Sequence, residues 1–157
     1  MVDLEEITNL TKKQARAIVE SGEEHQPIML ALSSEGVNFI HLVKINKDKF
    51  KEGISGLLRK LNAYAYVFVN EAWGAKLDKG SPTAKRIFSG EISVSELPLD
   101  DREEILTVMV AENGKSFYGW SAKIGYTPEG KRYLKEWEKM KGGASGRLVS
   151  PRQSGWM

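Results

Sequence analysis

The stretch Glu103–Tyr126, EEILTVMVAENGKSFYGWSAKIGY, decides the fold. Two runs rich in β-branched and aromatic residues flank Asn113-Gly114. Asn-Gly favours a two-residue type I′ turn, because both central residues of that turn take positive φ. The stretch therefore reads as two antiparallel strands joined by a tight turn.

Working outward, Pro27–Ile45, PIMLALSSEGVNFIHLVKI, reads as a second hairpin. Pro27 opens its first strand, since proline has no N–H to give a ladder. Ser33–Gly36 supplies the turn, and Val37–Ile45 the return strand. Tyr64–Ala72 is a further strand. Asp3–Glu20 reads as a helix, with Asp3 and Glu6 forming a capping pattern and Leu4, Ile7, Leu10 and Ile18 at helical spacing. Gly22 is its stop, and Thr11 with Gln14 repeats the capping pattern, which is compatible with a break near Asn9. Phe50, Ile54, Leu57, Leu58 and Leu61 share a helical face behind an Asp48 cap. Gly53 and Gly56 weaken that helix by roughly 1 kcal/mol each relative to Ala, and would let it lie close on a sheet.

Gly74–Arg102 has no clear strand and is long for a loop. Within it Pro82–Phe88 fits a short helix capped by Ser81, and Ile92 with Val94 fits an edge strand. Thr127–Lys141, TPEGKRYLKEWEKMK, reads as a last helix. Thr127 would cap it, Pro128 would take its first position, and Tyr133, Leu134, Trp137 and Met140 would share a packing face before Gly142-Gly143. The expected order is α-β-β-α-β-loop-β-β-α. It describes one α+β domain over residues 1–141, a mostly antiparallel sheet of about five strands packed with helices, and a flexible basic Gly/Ser/Arg-rich tail over 142–157. Apolar residues on both sides of several strands, such as Phe39 and Ile40, imply cover on both faces.

The composition bounds the chemistry. The 157 residues, 41% hydrophobic and 28% charged, suit a globular domain with a single core. The absence of cysteine excludes disulfides and thiolate metal sites and agrees with a reducing compartment. Many Lys and Glu without Cys is also a heat-adapted composition. MVDLEEITNL lacks the basic start and apolar stretch of a signal peptide, and no apolar run reaches the roughly 18 residues of a membrane span. A cytoplasmic protein without membrane contact is expected.

Net charge is +2 but uneven. From Lys131 onward seven basic residues (Lys131, Arg132, Lys135, Lys139, Lys141, Arg147 and Arg152) face two acids, a net +5 that leaves −3 for the rest. Such a segment, with Trp156 near its end, suits nucleic acid, a ribonucleoprotein or an acidic protein partner, and equally a solvated tail.

Glu71 is the first candidate for chemistry. Ala65, Val67, Val69 and Glu71 fall on one face of their strand, so an acid continues an apolar row and needs a partner or water. Arg102, Arg86 and Lys123 are the candidate partners, with Arg102 preferred, and Trp73 is expected to close the core beneath the long loop. The structural reading is an ion pair at a strand end; the functional one is a general base or metal ligand. The cluster Asp100, Asp101, Arg102, Glu103 and Glu104 offers carboxylates to a hard cation such as Mg2+ or Mn2+, or ordinary turn residues. A metal-dependent, nuclease-like hydrolase would use Glu71 with Asp100, Asp101 and Glu103. The lysine spacing of such enzymes fails here, because Ser121 stands two residues before Lys123. Tyr118, Trp120 and Tyr126 share one strand face and Tyr64, Tyr66 and Phe68 another; such rings stack bases or, more commonly, fill a core. His25 and His41 are isolated, and GGASG follows an expected helix rather than opening one, so no phosphate loop is present.

Glu71-Ala72-Trp73, followed by Pro98-Leu99-Asp100-Asp101-Arg102-Glu103-Glu104 leading into a strand, resembles a set of small uncharacterised proteins of bacteria, archaea and their mobile elements. Those pair a strand ending in Glu-Ala-Trp with a Pro-x-x-Asp-Arg-x-Glu stretch, here one residue longer if Asp101 is the match. The resemblance covers residues 60–125. It implies that the Glu71 strand and the Arg102 turn belong together, and it implies no activity, cofactor or catalytic residue. Three functions are compatible with the sequence: a non-enzymatic binding protein using the basic segment, the metal-dependent hydrolase, and a scaffold acting through oligomerisation.

Overall fold

The structure, a computed structural model, describes residues 3–42, 50–75, 81–92, 96, 102–115 and 118–140. Helix α1 (Leu4–Glu20) leads into strands β1 (Ile28–Ser33) and β2 (Gly36–His41), helix α2 (Phe50–Lys60), β3 (Ala65–Ala75), α3 (Pro82–Phe88), β4 (Arg102–Glu112), β5 (Tyr118–Tyr126), β6 (Arg132–Leu134) and β7 (Glu138–Lys139). The seven-stranded sheet runs β2-β1-β3-β4-β5-β6, with β7 also on β5, and every pairing is antiparallel. This is the expected α+β domain with two more strands than the sequence suggested.

The helices separate the core into two layers. α1 covers one face, packing Ala15 and Val19 against Leu30, Val67, Val108 and their neighbours. α2 covers part of the other, packing Ile54 and Leu58 against Met29, Ala31 and Tyr66. β1 therefore reads as an unbroken apolar run, because both of its faces are buried. Each fully buried Leu or Val contributes about 1.5–3 kcal/mol.

Local chemistry explains most element ends. Asp3 Oδ1 accepts from the Glu5 and Glu6 N–H groups, the expected cap. No break follows at Asn9; the Thr11 hydroxyl donates back to the Ile7 carbonyl inside a continuous helix. α2 ends in a Schellman motif: Asn62 takes φ 54, and the N–H groups of Ala63 and Asn62 donate to the Leu58 and Arg59 carbonyls. A Cβ on Gly53 would meet nothing within 4 Å and one on Gly56 only the end of the Arg59 side chain at 4.0 Å, so neither serves close approach to the sheet. Asp48 and Val94 lie outside the described residues, as does residues 43–45 of the expected return strand.

Two expectations at turns are overturned. At Asn113-Gly114, Gly114 alone has positive φ, and Lys115 N–H donates to the Glu112 carbonyl. That sign pattern belongs to a type II turn rather than type I′. The Asn113 N–H donates to the Tyr64 carbonyl, a tertiary tie that a local turn rule does not include.

The last expected helix is a bulged edge strand. Thr127 N–H donates to the Lys131 carbonyl and Gly130 N–H to the Thr127 carbonyl, with Gly130 at φ 84. This is a three-residue hairpin loop closed by a left-handed glycine. The chain then returns along β5, with Leu134 opposite Ile124 and Lys139 opposite Trp120. The register slips by one residue between these pairs, which places a β-bulge within residues 135–137. The α1 side chains fix this edge: Arg16 donates to the Leu134 and Lys135 carbonyls, and Glu20 accepts the Leu134 N–H.

Candidate functional site

The α1 face of the sheet is apolar beneath the helix and polar where the helix ends. Glu71 and Trp73 alternate on β3, and Glu104 on β4 stands opposite Trp73. Tyr126 and Arg132 stand opposite one another on β5 and β6. With Gly22, Glu24 and Ala72 these residues line a cleft of about 390 Å3.

Arg132 is its centre. Its Nη2 lies 2.8 Å from Glu71 Oε2 and 3.9 Å from Glu104 Oε2, and its Nη1 donates to the Glu23 carbonyl at 2.9 Å. The other Glu71 oxygen accepts the His25 N–H at 2.9 Å. The Arg132 and Glu71 side chains are only 12% and 13% exposed. Burial pushes the guanidinium pKa down, but the hydrogen bond and charge of Glu71, with Tyr126 and Glu104 behind them, carry it above its ordinary value. The Tyr126 hydroxyl donates to Glu104 at 2.9 Å; burial first, then this bond and the Glu104 charge, raise the phenol pKa. Arg132 Nε is buried without a hydrogen-bond partner, while both Glu71 oxygens are occupied. Glu71 is thus held as an ion-pair anchor that ties β3 to β6 and to the residue 21–27 connection.

A second cluster lies along the same face, where α1 crosses β5 and β7. Lys12 Nζ sits 4.2 Å above the Trp120 ring and 5.5 Å from Trp137. Lys139 Nζ approaches the same Trp120 ring at 6.0 Å and Tyr118 at 5.7 Å, and Arg16 lies 6.0 Å from Trp137. Tyr118 and Trp120 meet edge to face at 5.7 Å. The bulge makes this possible: it shifts the alternation so that Leu134, Trp137 and Lys139 all reach the α1 side. Burial lowers the Lys12 pKa. Among the described residues neither Lys12 nor Lys139 forms an ion pair, so two ammonium groups from separate elements converge on one ring without a carboxylate between them.

The candidate residues from the sequence divide accordingly. Glu71 pairs with Arg132, and the register sets Arg102 opposite Ala75, four residues along β3. Arg86 pairs with Glu91 and Lys123 with Glu103. The strand opened by Arg102 is the neighbour of the Glu71 strand. Trp73 does not close the core; it is 37% exposed on the cleft wall. Glu103 lies on the sheet face opposite Glu71, so the two carboxylates do not join in one cation site, and among the described residues no group of three His, Asp or Glu side chains could hold a metal. Asp100 and Asp101 lie outside the described residues, as do Lys141, Arg147, Arg152 and Trp156. Lys131, Lys135 and Lys139 are exposed on the edge of the sheet, while Arg132 is withdrawn into the cleft.

Lys12 and Arg16 are the participants that the sequence reading missed; Glu104 and Tyr126 it named in other settings, a carboxylate cluster and an aromatic strand face. Glu104 carried the same signal as Glu71: it continues the row of Leu106, Val108 and Val110. Lys12 and Arg16 carried none, since a lysine and an arginine on a helix ordinarily face solvent. No family model, curated protein or solved structure matches the chain.

Proposed function

We propose that the protein is a non-enzymatic binding protein that docks a nucleic acid across α1, β5 and β7. The observation that carries this reading is the convergence of Lys12 and Lys139 on Trp120, neither of them in a direct ion pair with a carboxylate among the described residues. Both ammonium groups lie within 6.0 Å of the same ring, and a phosphate that reaches both would lower their mutual repulsion. Lys131 and Lys135 on the same edge continue the positive track, and Lys141, Arg147 and Arg152 follow in sequence. Trp120 and Trp137 are partly buried and capped by cations, so their role is to fix the ammonium groups rather than to stack bases. Recognition of this kind reads the backbone of a nucleic acid and is indifferent to its sequence.

Binding of a fluorescent single strand and a duplex, measured across a salt series, tests the reading. Lys12→Gln with Lys139→Gln should weaken binding and reduce the salt slope by about 2, one for each lost phosphate contact. Truncation at Gly142 should lower the slope further. An unchanged slope in the double variant, or no binding by the full chain at low salt, would refute it.

A further inference from the structure

The two edges of the sheet are finished differently. On the β6–β7 side the edge is bulged and carries Lys131, Lys135 and Lys139, devices that discourage pairing with another strand. On the other side, among the described residues, β2 pairs only with β1. Its sequence, Gly36-Val37-Asn38-Phe39-Ile40-His41, has no Lys, Arg or Pro, and its one-to-one register with β1 has no bulge. Phe39 is 67% exposed, the most exposed large apolar side chain among the described residues.

The ladder fixes which backbone groups are open. Leu42 N–H donates to the Pro27 carbonyl, so residues of even number along β2 bond inward to β1. The N–H and C=O groups of Val37, Phe39 and His41 therefore point outward from the edge. Phe39 is the middle residue of those three. Two such strands placed antiparallel about a twofold axis overlap most fully with Phe39 opposite Phe39 and Val37 opposite His41. Opposed residues in antiparallel strands share a face, so the two Phe39 rings would cover each other and no pair of like charges would meet.

We infer that the β2 edge is an interface that pairs with a second copy of the chain, centred on Phe39 and continuing the sheet from one subunit into the other. The occupant is self-complementary to the edge in hydrogen bonding, in apolar surface and in symmetry. The inference is independent of nucleic-acid binding, whose residues lie on the far edge.

The cysteine-free sequence permits a direct test. A hydrogen-bonded antiparallel pair holds its Cα atoms about 5.5 Å apart, within the range of about 4.4–6.8 Å that a disulfide spans. Full-length Phe39→Cys should therefore cross-link to a dimer under mild copper-phenanthroline oxidation, whereas Val37→Cys, four residues from its own copy across the axis, should not. Sedimentation equilibrium of the wild-type chain should show concentration-dependent dimers. Phe39→Lys should weaken the dimer by about tenfold or more, with an unchanged far-ultraviolet circular dichroism spectrum. A wild-type chain that stays monomeric at every concentration, or Phe39→Cys cross-linking no faster than Val37→Cys, would overturn the inference.

Discussion

Two charged clusters lie on one face of one sheet, and they treat charge in opposite ways. In the cleft beyond the end of α1, Arg132 is set between Glu71 and Glu104 and tied to the backbone of the following connection. Beside the middle of α1, Lys12 and Lys139 are set against rings, and among the described residues neither forms an ion pair. The first arrangement pairs its charges within the chain, with Arg132 Nε alone left without a partner among its buried side-chain atoms. The second leaves its field available to a partner. A charge inside a satisfied network stabilises a fold, and a charge on an aromatic platform is better suited to binding.

The largest effect that separates them is on stability. Arg132→Met leaves Glu71 buried with only a backbone N–H, and should destabilise the fold by about 3 kcal/mol or more in urea denaturation. Adding Glu71→Leu should recover much of that loss, because the uncompensated charge is then gone. Lys12→Met removes a cation–π contact and should cost no more than about 1 kcal/mol. Equal losses for Arg132→Met and Lys12→Met would abolish the distinction between the two clusters.

The two glycines of β5 offer a smaller contrast. A Cβ on Gly119, between Tyr118 and Trp120, would lie 2.5 Å from the Val108 carbonyl oxygen and 3.2 Å from Met109 Cα. These are backbone atoms of the paired strand, so Gly119→Ala should part β4 from β5 locally and cost about 1–3 kcal/mol. At Gly125, next to Tyr126, the Cβ would meet only the ring of Tyr133, which is partly exposed and can swing aside. Gly125→Ala should therefore cost less than Gly119→Ala in the same urea assay, and the reverse order would show that the Tyr133 ring is fixed.

How much of this was legible follows from the range of each interaction. The strand pairs of both main hairpins, α1, α2 and the row Ala65–Val67–Val69–Glu71 rest on local periodicity and were read as such, while the turn type at Asn113-Gly114 and the break near Asn9 were not. The edge strand was misread because its bulge spaces Leu134 and Trp137 three apart, which is the spacing of one helical turn. Thr127-Pro128 reinforced the error, since a cap followed by proline begins a helix as readily as it begins a turn. The Glu71 pairing was misassigned for the same reason: it runs to β6, whose existence depends on that strand. The acid was visible as out of place, but its partner was hidden behind the misread element. The cation–ring cluster was invisible because it joins α1 to β7, elements whose contact no local rule predicts.

The finest test compares the two phenols. Tyr126 in the cleft and Tyr118 by the lysine cluster both have raised pKa values, and burial is the largest cause for each. A phenol raised in the folded chain keeps its proton while the unfolded chain ionises near about 10. Its contribution to stability is therefore whole below that pH and falls away as pH climbs toward the folded value, so alkali destabilises through both residues. The secondary causes differ. Tyr126 is held by a direct hydrogen bond to Glu104, and Tyr118 by the through-space charges of Glu112 and Glu5. Salt screens the second kind far more than the first. In ultraviolet titrations of Tyr118→Phe and Tyr126→Phe, added salt should lower the remaining Tyr118 transition and leave the Tyr126 transition nearly in place. Glu104→Gln should move the Tyr126 transition down. Equal salt sensitivity for the two would mean that Glu104 acts on Tyr126 as a charge at a distance, and the cleft would then be as open to an outside partner as the lysine cluster.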